Sequence, residues 1–272
     1  MRLSERIVAA LKAKGDLWES APGLIGLRGA TRHRLRKLDE LLAASCQGET
    51  HDEWTVPQAL PIAVLERADY FASFPQWLTL ASHFPDTEPC GALPPAVCYH
   101  VYAALADSIV HSPRIVTAQG CCWRHETGDF SPLERGWAFT MREIVCVGTE
   151  AECLSFRNRG VALARKFAAE LGGWSGDVVP AEDPFFAPSG RGRALLQRLK
   201  GLKQELRLPI GDGDTVAAAS FNLHETFFGE AFGIRLRDGS PAYTACVAFG
   251  LERWLLAALV SQYAPALEET LV

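Results

Sequence analysis

The chain has 272 residues, of which 48% are hydrophobic and 22% charged, and a formal net charge of −5. That length and apolar content suit a folded unit with a sizeable core. The acidic balance argues against a general nucleic-acid binder, and no apolar run reaches the roughly 18 residues that a membrane-spanning helix needs. The N-terminus lacks the apolar core of a signal peptide, and the eight cysteines include no CxxC pair. The expectation is a cytoplasmic protein with reduced thiols and no membrane partner.

In chain order, Leu3, Ile7, Val8 and Leu11 mark a short amphipathic helix. Leu35, Leu38, Leu41 and Leu42 mark a second, starting near Ala30, whose Arg and Lys residues form a solvated face. Val56-Pro57 suits the end of an edge strand, since proline cannot donate to a ladder, and Pro61 suits the first turn of a helix. Residues 76–98 predict a short strand and a Pro/Gly-rich loop, with Pro94-Pro95 opening a helix that continues from Tyr99 to Val110. Between 114 and 150 two extended apolar runs flank a polar loop containing Gly128, Asp129, Ser131, Pro132 and Gly136, the pattern of an antiparallel hairpin. Arg124 and Glu126 are two apart, so on a strand both emerge from one face. By spacing alone this is equally a hairpin with a cross-strand ion pair.

From 151 to 208 the texture becomes helical. The stretch SGRGRALLQRLKGLKQELR sets Arg191, Arg193, Arg198, Lys200, Lys203 and Arg207 against the single acid Glu205, which reads as a solvated helix face or a docking surface for an acidic partner. Strands are then expected over Thr215–Leu223, Phe232–Leu236 and Ala242–Ala248, with a final helix from about Gly250. The fold class expected is α+β: a mostly antiparallel sheet flanked by helices, in one domain over 1–272, with a helical insertion at 151–208. No G-x-G-x-x-G or P-loop pattern follows a strand.

Arg124-His125-Glu126, then Phe139 and Glu143 as F-x-x-x-E, then Val247-Ala-Phe-Gly-Leu-Glu-Arg253 running into a helix, resemble motifs 2 and 3 of the class II aminoacyl-tRNA synthetases. The region of Val56-Pro57 stands where the more degenerate motif 1 falls. The resemblance implies ATP, with magnesium, as a substrate. It assigns Arg124 to the α-phosphate and the amino-acid carboxylate, Arg253 to the γ-phosphate, Phe139 to stacking under adenine and Glu126 to its amino group. Arginine suits such roles because its forked donors match phosphate oxygens.

Within the class the chain is most similar to the zinc-dependent seryl-tRNA synthetases, which implies zinc held by Cys98, Glu143 and Cys246, with an open position for the substrate amine. Asn222 is implied at the ATP site, and Glu205 and Glu225 at the amino-acid site. With about 50 residues ahead of motif 1 and an acidic charge, the chain resembles the amino acid:[carrier protein] ligases of this group. The family implies a homodimer that activates glycine or alanine and transfers it to the phosphopantetheine thiol of a small acidic carrier protein rather than to tRNA. The alternatives are a compact seryl-type synthetase that charges tRNA and a catalytically silent regulatory paralogue.

Overall fold

In chain order the fold runs α1 (Leu3–Lys14), β1 (Leu17–Ala21), β2 (Leu24–Leu27), α2 (Gly29–Ser45), β3 (Asp52–Thr55), α3 (Ile62–Arg67), α4 (Tyr70–Ser73), β4 (Leu80–Ser82), β5 (Pro89–Ala92) and α5 (Cys98–Ala104). It continues through β6 (Arg114–Trp123), β7 (Ala138–Gly148), α6 (Glu150–Gly172), β8 (Asp177–Pro180), β9 (Lys203–Gly211), β10 (Asp214–Glu225), α7 (Phe227–Ala231), β11 (Tyr243–Gly250) and α8 (Leu251–Glu268). The computed structural model describes residues 1–45, 51–126, 128–181 and 201–268.

A seven-stranded sheet in the order β3-β6-β7-β11-β10-β9-β8 organises the molecule. Only β3 runs parallel to its neighbour; the other pairings are antiparallel. Strand alternation divides the side chains between two faces. On one, Ile144, Cys146, Phe221, Val247 and Phe249 pack against α1, α2, α6 and α8 in the largest core cluster. Trp254 is its keystone, fully buried with its ring 5.1 Å from Phe167 and 6.2 Å from Phe249. Truncating such a residue to alanine typically costs about 3–5 kcal/mol. Helix α6 crosses so closely that a Cβ on Gly160 would sit 2.5 Å from Val247 Cγ2. It begins with a reciprocal cap, in which the Glu152 N–H donates to Thr149 Oγ1 and the Thr149 N–H donates to Glu152.

On the opposite face lie Cys122, Val145, Cys246 and Ala248, partly covered by α5 and α7. Arg142, between two site-face residues on β7, turns instead to the helical side. There it makes a bidentate pair with Asp39 of α2 (2.7 and 2.8 Å) and a 2.8 Å bond to Glu53 of β3.

Several expectations need correction. The 151–208 segment is not simply helical: α6 packs on the sheet, and β8 and β9 are strands of it. Lys203, Glu205 and Arg207 therefore sit on β9 rather than on a basic helix. The reason is period-2 burial, with Leu206, Leu208 and Ile210 directed into the core and the residues between them more exposed. Arg191, Arg193, Arg198 and Lys200 lie outside the described residues, as does Cys46. Phe232–Leu236 is no strand; it follows α7 as a turn held by isolated bridges at Arg235. Phe232 and Ile234 are apolar because they pack with Tyr102 and Phe228. Helix α5 stops at Ala104 rather than Val110, and Asp107 adopts a left-handed backbone with φ 55°.

Candidate active site

The β6–β7 hairpin forms as the sequence suggests, with Cys122 opposite Phe139 and Ala118 opposite Glu143. On β11, Cys246 pairs with Val145 and Ala248 with Glu143. Glu143 and Cys246 are thus diagonal neighbours on one face, within reach of each other. Cys98 comes to them from above, at the first residue of α5. Among the described residues these three form the one cluster of acidic, cysteine or histidine side chains fit to hold a metal. Their ligand atoms all lie within 4.8 Å of one another, and all three residues are buried.

Glu143 and Cys246 are each held by neighbours outside the cluster. The Glu143 carboxylate accepts N–H bonds from Val97 (3.0 Å) and Cys98 (3.1 Å). Cys246 Sγ receives the Asn222 amide at 3.2 Å and stands 3.8 Å from His224 Nε2. His224 Nδ1 meets Thr244 Oγ1 at 3.1 Å and the Tyr102 hydroxyl at 3.4 Å. Hydrogen bonding from Cys98 pushes the Cys246 thiol well below its ordinary range, and the same bond with burial pushes Cys98 well above its own. Burial, then the charge of Cys246, pushes the Glu143 carboxyl up to about 8.

Two sulfurs and one carboxylate oxygen, dry and preoriented, fit zinc. Three protein ligands with one position left over is the arrangement of a reactive zinc site, and magnesium or calcium would prefer oxygen alone.

The two arginines follow β6 and β11, Arg124 just past the first and Arg253 in the first turn of α8, close enough to feel each other's charge. The Arg124 guanidinium sits 5.4 Å over the Phe139 ring, and its Nε donates to the Pro95 carbonyl at 2.9 Å. Arg253 donates to the carbonyls of Glu134 (2.7 Å) and Ala217 (2.9 Å), and desolvation lowers its pKa below the usual guanidinium value. Both are tied to neutral oxygens, which an arriving phosphate or carboxylate can displace. Glu126, just beyond β6, pairs with Arg135 at 3.4 Å. The Glu252 carboxylate accepts the Thr140 N–H at 3.0 and 2.9 Å, fastening the start of α8 to β7.

The structure thus brings Arg124, Phe139, Glu143, Cys98 and Cys246 onto one surface and attaches Asn222 to the cysteine end of it. Glu205 lies opposite Ser220 on β9, 3.7 Å from Lys203, and contributes to the field at Arg253. Glu225 ends β10 in a left-handed conformation (φ 53°) opposite Thr244. Arg135 is not among the residues expected from sequence; its one signal is a basic residue four before Phe139. The Tyr102–His224–Thr244 chain has no sequence signal, since no spacing reveals it.

Sheet order, hairpin and the strand-to-helix step at Gly250 together define the catalytic fold of the class II aminoacyl-tRNA synthetases. Over 94% of its length the chain superposes on the Methanopyrus kandleri seryl-tRNA synthetase solved with Aquifex aeolicus tRNASec. The TM-score is 0.79 at 18% identity, and the match covers 56% of that chain. Prolyl-tRNA synthetase from Cryptosporidium parvum gives 0.76 at 14% identity, covering 94% of this chain and 51% of the other. No family model matches the sequence.

Among curated relatives, amino acid–[acyl-carrier-protein] ligase 1 of Bradyrhizobium diazoefficiens is 33% identical over 226 residues, covering 74% of this chain and 68% of the relative. Ligase 2 of the same organism is 30% identical over 262 residues, covering 87% and 77%. A type-2 serine–tRNA ligase from Methanothermobacter thermautotrophicus is 26% identical over 242 residues, covering 75% of this chain but 46% of its own length. The chain belongs to the amino acid–[acyl-carrier-protein] ligase family and is a ligase.

Proposed function

We propose that this ligase uses ATP to activate a small amino acid, glycine or alanine, and passes the aminoacyl group to the phosphopantetheine thiol of a small acidic carrier protein. The observation that carries the reading is the shared sheet face, with a buried Cys98–Glu143–Cys246 cluster at one end and Arg124 over Phe139 at the other.

In the first step the amino-acid carboxylate attacks the α-phosphorus of ATP, the bond to the β-phosphate breaks, and magnesium pyrophosphate leaves. Arg124 turns from the Pro95 carbonyl to the carboxylate and α-phosphate, and Arg253 from its two carbonyls to the γ-phosphate. Phe139 supports the adenine and Glu126 accepts from its amino group. Cys98, Glu143 and Cys246 would hold zinc, which supplies a Lewis-acid seat for a free amine and so selects amino acids over other carboxylic acids. In the second step the thiol sulfur attacks the activated carbonyl carbon, AMP departs, and the thiol proton is lost to the phosphate or solvent.

Glu205 and Glu225 are the acids proposed to flank the amino-acid side. The working form is a single catalytic domain over 1–272, acting as a homodimer. Carrier docking is proposed on the exposed side of the 151–208 segment, whose α6, β8 and β9 also build the sheet and its core. The seven described cysteines are free thiols, which suits a cytoplasmic protein. Among the described residues no helix is long and apolar enough to cross a membrane.

The test is amino-acid-dependent ATP–pyrophosphate exchange over glycine, alanine, serine and larger amino acids, abolished by chelator and restored by zinc. It is followed by label transfer to a phosphopantetheinylated carrier or to tRNA. Absence of exchange with any small amino acid refutes the enzyme reading, and preferential transfer to tRNA favours a compact synthetase instead.

A further inference from the structure

Asn222 is 5% exposed, and its amide nitrogen has two partners, Cys246 Sγ and Ser220 Oγ, each at 3.2 Å. Its Oδ1 is buried and has no hydrogen-bond donor among the described residues. The orientation of the amide follows from its neighbours. A sulfur that holds a metal is a thiolate and only accepts, so the nitrogen faces Cys246 and the oxygen is left over. Strand register fixes the side chain there, with Asn222 opposite Cys246 on β11 and Lys203 on β9.

Oxygen and nitrogen of a planar amide are about 2.3 Å apart. Adding that to the 3.2 Å contact keeps Oδ1 within about 5.5 Å of Cys246 Sγ. A buried acceptor with no donor is destabilising and uncommon in a folded protein. Here it stands beside the cluster proposed to receive the substrate.

The chemistry of the missing donor is narrow. Carboxylate and phosphate offer acceptors only, the adenine amino group belongs with Phe139 and Glu126 at the other end of the face, and a ribose hydroxyl, the remaining donor of the substrates, is told apart from the amine by KM for ATP. We infer that Asn222 Oδ1 accepts an N–H from the α-amine of the amino acid, making Asn222 a specificity residue for the amine. This moves Asn222 from the nucleotide to the amino-acid end of the site, and it rests on the function proposed above. A second contact at the amine, beside the Cys98–Glu143–Cys246 seat, means that a substrate lacking the amine leaves Oδ1 unsatisfied and is rejected for that reason as well.

The experiment compares two nonhydrolysable ligands on zinc-saturated protein by calorimetry. One is the aminoacyl-sulfamoyl adenosine of whichever amino acid supports exchange; the other is its des-amino counterpart. Asn222→Ala should reduce the preference for the amine-bearing ligand about tenfold, while affinity for the des-amino ligand and KM for ATP stay at wild-type values. Asn222→Asp keeps an acceptor at the same place and should retain most of the preference, even where the lost donors weaken zinc binding. Equal weakening of both ligands by Asn222→Ala, a rise in KM for ATP, or loss of the preference in both variants alike overturns the assignment. A wild type with no amino-acid-dependent exchange refutes the functional reading itself, whereas exchange with unaltered preference in Asn222→Ala refutes only the role of Asn222.

Discussion

Arg142 couples the helical side of the sheet to the proposed metal end, and replacing it with methionine tests that coupling. Its side chain is 5% exposed and bonded to Asp39, which is 19% exposed, and to Glu53, which is 61% exposed. Its Nη1 also reaches Thr117 Oγ1 at 3.4 Å, and that hydroxyl donates to the Glu143 carbonyl at 3.1 Å. Removing one partner of a fully buried ion pair costs about 3–5 kcal/mol. Water reaches part of Asp39, which puts that arm at the lower end, and the exposed Glu53 arm adds only the ~0.2–1 kcal/mol of a surface pair. Arg142→Met should therefore destabilise the zinc-loaded protein by about 3 kcal/mol. At 2–4 °C per kcal/mol for a chain of this size, Tm falls by roughly 6–12 °C. Asp39→Leu combined with Arg142→Met removes both charges and should be less destabilised than the sum of the single variants by about 2 kcal/mol. Denaturant titration of the four proteins measures this, and zinc competition with a chromophoric chelator should show weaker binding in Arg142→Met because the Glu143 backbone loses its brace. Destabilisation under 0.5 kcal/mol, or strict additivity in the cycle, would refute the reasoning, both thresholds lying outside what a buried pair allows.

Three further outcomes are expected. Arg253→Ala should lower ATP–pyrophosphate exchange by about 10²–10³-fold, the scale for losing a preorganised charge-stabilising donor, with circular dichroism unchanged; near wild-type exchange would remove Arg253 from the phosphate. Phe139→Ala should raise KM for ATP about tenfold or more, since stacking a base on an aromatic ring contributes about 1–3 kcal/mol, and leave KM for the amino acid near its original value. With the metal stripped, the contribution of Glu143 to stability should fall as pH rises: the carboxyl is pushed by burial from 4.5 to about 8, so its contribution is complete below the lower value and lost as pH climbs through the upper one. The depressed Cys246 thiol works in the opposite sense, so the readout is the difference between the metal-free wild type and Glu143→Gln: between about pH 5 and pH 8 the denaturant midpoint of the wild type should fall relative to that of the variant, and parallel profiles contradict the burial of that carboxyl.

The sequence was most legible where a local pattern and a long-range constraint agreed. The β6–β7 hairpin announced itself by two apolar runs around a Gly/Pro/Asp loop, and Gly250 before Leu251-Glu252-Arg253 marked the step from strand to helix. β9 is easily taken for a continuation of helix because it follows directly on the basic 191–200 stretch, although Leu206, Leu208 and Ile210 alternate. β8 is hard to read in sequence because an Asp-Val-Val-Pro stretch at an edge resembles a connection. Cys98, Glu143 and Cys246 are separated by 45 and 103 residues, and no periodicity within one element can join them. Only the resemblance did so in sequence, and only the β7–β11 register together with the first residue of α5 does so physically. Asn222 lies a step further out. An asparagine on a strand is unremarkable in sequence; its meaning depends on which end of the amide faces the sulfur and on the absence of a donor for the other. Strands specify which residues share a face, but a ligand's contribution becomes visible only in the polar groups the fold gathers or leaves unsatisfied. That is why the arginines, whose apo partners are ordinary carbonyls, are less diagnostic of their ligands than one buried amide oxygen.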